Sequence, residues 1–438
     1  MRRRFLAFLL QSAFLGSALA SGQGELGSVQ RADLLRCYEL AIQASERLGI
    51  QEAEVRAAEA RYWQAIGAIL PKVNLRLNER LQNQAGSGSS ASTGESFGTG
   101  GSGGGGGSRN AFDGRVTVTQ TIFNGFRDFK RAAARREEAT AGRWLVTRTR
   151  QVLLLDVADV FYQILSLQTD LSILADLEKV LVERVSELER RVALGRSRRG
   201  EWLAAQSDLA SARVSMEQVR GLGEATEELM AFLTAVPRGR LEFYESQPFP
   251  STEELGSYLR QVMGRPDLVV AEALVGAARE ELAAVRSERW PEVTFEGNAF
   301  FVQQPGSERV WNFFITFNLP IFDGGIREAK VREGREREQI SRLNLEALRR
   351  TADQEVRSAY IAFWSNVQQR ERLREAVRLT RETFEAQKAD YELGRASNLD
   401  VLTALERWHR LRREEVGAEM QARASMVELH VAAGRSKR

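Results

Sequence analysis

Residues 192–206 read VALGRSRRGEWLAAQ and residues 391–405 read YELGRASNLDVLTAL. Leu-Gly-Arg falls at 194–196 and again at 393–395, and Leu203 matches Leu402, an offset of 199. Glycine takes the left-handed conformation that ends a helix at little cost, so each stretch is predicted to turn one helix into the next. Upstream of the turns lie Arg127–Val192 and Ile326–Tyr391, each 66 residues without a proline. Both are rich in Ala, Leu, Glu, Arg and Gln, and a helix of that length spans roughly 100 Å. Apolar positions keep spacings of three and four: Val157, Phe161, Ile164, Leu174, Leu181, Val185, Leu188 and Val192 in the first. The second has Val356, Tyr360, Phe363, Val367, Leu373, Val377, Thr380, Phe384, Gln387 and Tyr391. Such a seam packs long helices side by side as in a coiled coil. Helices are expected to return from about Arg199 and Asn398.

Moving toward the N-terminus of each copy, the offset of 199 persists to Ile122-Phe123-Asn124-Gly125 and Ile321-Phe322-Asp323-Gly324, then becomes 220 at Pro71 and Pro291. The 21 extra residues of the first copy fall in Ala85–Ser108, where 24 residues contain 11 Gly and 7 Ser. That tract cannot build a core and is expected to be a mobile loop. Beside it the apolar period becomes two. Val73, Leu75 and Leu77 alternate with Asn74, Arg76 and Asn78, and Val116 and Val118 with Thr117 and Thr119. In the second copy Val293 and Phe295 alternate with Thr294 and Glu296, and Trp311, Phe313, Ile315, Phe317 and Leu319 with Asn312, Phe314, Thr316 and Asn318. Each copy therefore holds a strand hairpin, the second closed by the QQPGSE around Pro305 and Gly306. With helices on both sides and no partner sheet, apolar-out and polar-in strands of an outer-membrane barrel fit this alternation.

Composition excludes several functions. Lys plus Arg number 62 against 59 Asp plus Glu, and Arg2, Arg3 and Arg4 carry the whole excess, which argues against a nucleic-acid partner. Residues 1–20 read as a secretory signal, with an apolar run from Phe5 to Leu19 and Ala18 and Ala20 at the cleavage site. No later apolar run reaches the 18 or so residues of a spanning helix. Cys37 alone can form no internal disulfide. His409 and His430 lack spaced partners for a triad or a metal site, so no enzyme, cofactor or metal is expected. The organisation expected is a signal peptide (1–20), a first repeat (21–236), an irregular joint (237–266) marked by four of the eight prolines, and a second repeat (267–438).

Four strands cannot close a barrel, and open edges are not tolerated in lipid. Two copies of the chain supply eight strands, three supply twelve and four supply sixteen. The paired Pro71 and Pro291, TIFNGF and PIFDGG, and above all the two turn motifs, resemble the outer-membrane efflux protein family typified by TolC. The resemblance covers essentially the whole chain after residue 20. It implies a mainly helical fold with transmembrane β-structure: a homotrimer with a twelve-stranded barrel in the outer membrane and a periplasmic α-barrel of twelve helices. It further implies a passive exit duct served by an inner-membrane transporter and a periplasmic adaptor. A periplasmic adaptor itself is the alternative, but it should carry one helical hairpin in a β-rich chain. A porin would be far less helical.

Asp400 and its counterpart Glu201 lie six residues after the turn glycines. Each is either a helix-capping acid or, repeated around a threefold axis, part of a carboxylate constriction. By resemblance Tyr391 and Asp400 match gate positions. Thr403 and Ala396 stand where the family has an acid and a base, so a weaker or differently bonded gate is expected. Arg190, Arg191, Arg196, Arg198 and Arg199 crowd the first turn. They form either solvated surface or, with Gly195, Gly394, Arg395 and Ser397, an adaptor-docking surface.

Overall fold

A computed structural model describes residues 29–80, 111–251, 253–302 and 310–435. The Gly/Ser tract and QQPGSE lie outside the described residues, as does the proposed signal. Elements in chain order are β1 (Gln30–Ala32), α1 (Leu34–Ala44), α2 (Glu46–Ile69), β2 (Lys72–Arg80), β3 (Ala111–Phe123), α3 (Arg127–Ala193) and α4 (Arg199–Thr234). Then follow β4 (Leu241–Phe243), α5 (Leu255–Gln261), α6 (Pro266–Ser287), β5 (Glu292–Val302), β6 (Trp311–Asn318), α7 (Ile326–Glu392) and α8 (Asn398–Ala432). The two long helices are 67 residues each and end at the expected glycines.

The chain divides into two compact units that cut across the sequence repeats. One comprises residues up to Gly49, Arg148–Arg265 and those from Ala352; the other comprises Ile50–Thr147 and Pro266–Thr351.

In the first unit the α3 seam is the core. Val157, Phe161 and Ile164 are buried with Cys37 and Ala41 of α1 and Met230 of α4, and Phe243 of β4 packs on them. Leu174, Leu181 and Leu188 meet Ala205, Ala212 and Val219 of α4 and Leu402 and Leu405 of α8. Removing each Val, Leu, Ile, Phe or Met side chain among them from water contributes roughly 1.5–3 kcal/mol. These contacts also explain why one 18-residue window of α3 is apolar enough to count as a membrane span by composition: the apolar side chains serve helix packing. On α7, Val356 and Phe363 are fully buried, and no seam position through Tyr391 is exposed.

The joint is more regular than its prolines suggest. Leu255, Tyr258 and Val262 are spaced three and four apart, which forms α5 and a following turn of 3-10 helix, with Tyr258 and Val262 buried. β1 and β4 pair in parallel. Arg265 donates to Glu355 at 2.7 Å and to the Ala432 carbonyl at 3.0 Å, and Arg435 pairs with Glu253 and covers the Tyr258 ring at 4.5 Å.

In the second unit the two hairpins merge into one antiparallel sheet of order β2-β3-β5-β6. Register sets Val73 opposite Val118, Val118 opposite Gly297 and Gly297 opposite Phe313, so the apolar residues share one face. That face is uncovered: Val73, Leu75, Trp311, Phe313, Ile315 and Phe317 are all more than 60% exposed. Phe313 stacks on Phe295 with centroids 5.7 Å apart and lies over Gly297, where a Cβ would meet its ring at 3.1 Å. On the opposite face Asn298 accepts from the Thr117 hydroxyl at 2.6 Å and donates to Glu296 and Asn312 at 2.9 and 3.0 Å.

Candidate functional site: the two helical turns

Both turns close with the same backbone. Gly195 (φ +67°) donates to the Val192 carbonyl and Arg196 to the Arg191 carbonyl, at 3.0 and 2.8 Å. Gly394 (φ +73°) donates to the Tyr391 carbonyl and Arg395 to the Asp390 carbonyl, again at 3.0 and 2.8 Å. This pair of bonds satisfies carbonyls that a helix end otherwise leaves open.

The helices that follow start differently. Ser397 caps α8 by accepting from the Asp400 amide at 3.2 Å, while the Asp400 carboxylate accepts from the Ser397 amide at 2.8 Å and its hydroxyl at 2.7 Å. This reciprocal box satisfies two orphan donors. The Ser397 hydroxyl, then its amide, hold the Asp400 carboxyl below its ordinary range. At the start of α4 the cap position is Arg198, whose side chain makes no cap bond. Half-buried Glu201 accepts instead from the Ser197 hydroxyl. Arg196, Arg198, Arg199, Arg395 and Ser397 are exposed.

Tyr391 is held by Arg191 of the arginine group at the first turn together with Arg184 and Glu187, which sequence reasoning did not single out. The Arg184 guanidinium lies 4.0 Å over its ring, and Arg191 lies 5.1 Å over it and donates to its hydroxyl at 3.2 Å. Glu187 bridges the two cations, one carboxylate oxygen to each, at 2.7 and 2.6 Å. Arg184 also donates to Asn398 at 2.8 Å, and Asn398 is 2% exposed. One patch of α3 therefore clamps the end of α7 and the start of α8. Arg184, Glu187 and Arg191 sit three and four apart on one helix face, which was the available signal. Tyr391 and Asp400 have separate partners: Tyr391 joins the arginine patch and Asp400 the cap. Among the described residues no group of three or more His, Cys, Asp or Glu could hold a metal ion.

The family model described as outer membrane efflux protein matches residues 37–234 and 262–435. A relative described as a probable efflux pump outer membrane protein, TtgC of Pseudomonas putida, is 27% identical over 176 residues. That match covers 39% of this chain and only 36% of TtgC. A CusC structure superposes with a TM-score of 0.79 at 18% identity, covering 96% of both chains. The outer membrane protein VceC of Vibrio cholerae gives 0.78 at 18% identity, covering 92% of this chain and 96% of its own. At such identities these structures speak for the fold.

Proposed function

Because this chain belongs to the outer membrane efflux protein family, we propose that it is a passive outer-membrane exit duct. In this reading three copies close a twelve-stranded barrel over a helical tunnel in the periplasm, working with an adaptor and an inner-membrane transporter. The observation that carries it is the sheet: among the described residues its apolar face has no protein cover, and the outer strands β2 and β6 are each paired on one side only. Apolar side chains so exposed suit lipid, and open strand edges suit pairing with further copies. Two long helical hairpins and a family match to the outer-membrane component set the chain apart from an adaptor. Detergent-extracted protein should have the mass of a trimer and conduct ions in planar bilayers; a monodisperse soluble monomer overturns the reading.

In this duct the exposed turn residues Gly195, Arg196, Arg198, Arg199, Gly394, Arg395 and Ser397 form the adaptor contact. In-cell crosslinking from 195–199 should capture a periplasmic partner; capture of outer-membrane lipid alone counts against it. Tyr391, Asp400 and Glu201 form the gate, with the Tyr391 clamp holding it shut and the acids facing the passage. The double variant Asp400→Ala with Glu201→Ala should weaken block by divalent cations while the trimer persists. Unchanged block leaves both acids as helix-start residues only.

A further inference from the structure

Within the core beneath the turns a histidine ring is buried with both of its nitrogens unpaired. His409 of α8 is 2% exposed, and neither ring nitrogen has a hydrogen-bond partner. Buried polar groups nearly always have one. The ring lies 4.8 Å from that of Trp408, which stacks on Phe384 of α7 at 5.6 Å. It also borders a groove of about 350 Å³ between α3, α4 and α8, beside Leu177, Asp208 and Glu406. We infer that His409 is an acid-sensitive packing element, which joins α8 to α3 and α4 as a neutral ring and loosens that junction when it takes a proton.

Protonation would place a charge and a second N–H donor where no acceptor waits. The charged groups around the ring do not compensate it. Asp176 of α3 attracts the charge, but Arg412 repels it more strongly, and burial opposes it most, holding His409 down at about 4. Arg407, Arg410 and Arg413 of α8 also line the groove, and Arg413 already engages Asp170 of α3. Asp208 of α4 and Glu406 of α8 make poor counter-ions, because burial raises both carboxyls and Asp208 raises Glu406 further against Arg410. α7 meets this core through the uncharged Phe384.

The folded state therefore prefers neutral His409. Its contribution is full above the ordinary value of 6.5 and is lost as pH falls toward 4. Asp208 and Glu406 act with the opposite sign, gaining as they take protons, nearer the carboxylate range. Only the physiological sense rests on the proposed function: periplasmic acid would soften the tip of the duct.

Hydrogen exchange of the full-length, detergent-extracted protein at pH 7.5 and 5.0 tests this, with intrinsic rates corrected. Protection at 402–413 should fall on the order of thirtyfold in the parent, the ratio expected for a ring at about 4 instead of 6.5. His409→Phe should lose none. Equal losses in both, or none in the parent, overturn the proposal. Where phenylalanine fails to pack, histidine-labelled NMR serves, because the chain has only 2 histidines. The His409 ring should stay unprotonated at pH 5.5; a midpoint near 6.5 with protection unchanged overturns it.

Discussion

Gly125 and Gly324 leave their strands at nearly the same backbone angle, φ +66° and +67°, in surroundings that differ sharply. A Cβ on Gly125 would sit 2.7 Å from the Trp290 Cβ and 2.9 Å from the Ser287 carbonyl, whereas one on Gly324 would meet nothing within 4 Å. The next residue is Phe126 at φ 63° in one copy and Gly325 at φ 85° in the other. The turns at the other end of the repeat differ in kind too: same glycine bonds, but a capping box on α8 and none on α4. The backbone angle is the same in both copies, while what packs against each glycine, Ser287 and Trp290 of the second repeat at Gly125 and nothing at Gly324, decides how much room each has.

The largest effect should appear at the strand exit. Gly125→Ala combines left-handed strain, about 1–2 kcal/mol, with a clash that moves Trp290, for a loss of about 3 kcal/mol in all. Gly324→Ala carries the strain alone. Denaturant midpoints in detergent separate them, and equal shifts would mean that Gly324 is covered in the assembled protein.

Next comes the clamp. Arg184→Ala strands the buried Asn398 and removes the cation over Tyr391, which should cost about 2 kcal/mol; Tyr391→Phe keeps the ring and should cost about 0.5 kcal/mol. Exchange rates at 385–402 distinguish them. A Phe variant as weak as the Arg184 variant would assign the clamp to the hydroxyl.

The caps give a smaller contrast. Ser397→Ala should destabilise by about 1 kcal/mol, and Arg198→Ala, with no cap bond to lose, should stay near the parent. Asp400→Asn keeps an acceptor and should be nearly silent at neutral pH. Because Ser397 depresses the Asp400 carboxyl, the box is intact above the ordinary carboxylate value and fades as pH falls through the depressed one. That acid dependence should vanish in Asp400→Asn.

The long helices, the turns and the alternating strands were legible because each is encoded in local spacing: Val157-Phe161-Ile164 or Trp311-Phe313-Ile315 carries its period within a few residues. The helix α5 was hidden by the prolines around it. The parallel pairing of Gln30–Ala32 with Leu241–Phe243 was unreadable, since three residues carry no period and the partners lie about 210 positions apart. The acids were found by homologous position in the two repeats, with capping or constriction left open, and Asp400 sits in a capping box. The clamp on Tyr391 depends on which faces of three helices meet, which spacing on any one of them does not specify. His409 read as an ordinary helix residue until its neighbours were in place.

Pairing of β3 with β5 joins residues such as Thr117 and Asn298, 181 positions apart, whereas α3 and α4 meet across one short turn. Loop closure makes such distant pairing slow relative to local contacts. The helical hairpin of the first repeat can therefore form while the second repeat is still being made, and the central seam of the sheet must wait for it. Until then β2 and β3 form a two-stranded ribbon with an unfilled edge, the species most exposed to mispairing. Slowing delivery of the second half, for instance by pausing synthesis after α5, should raise the aggregated fraction more than an equal pause before α3.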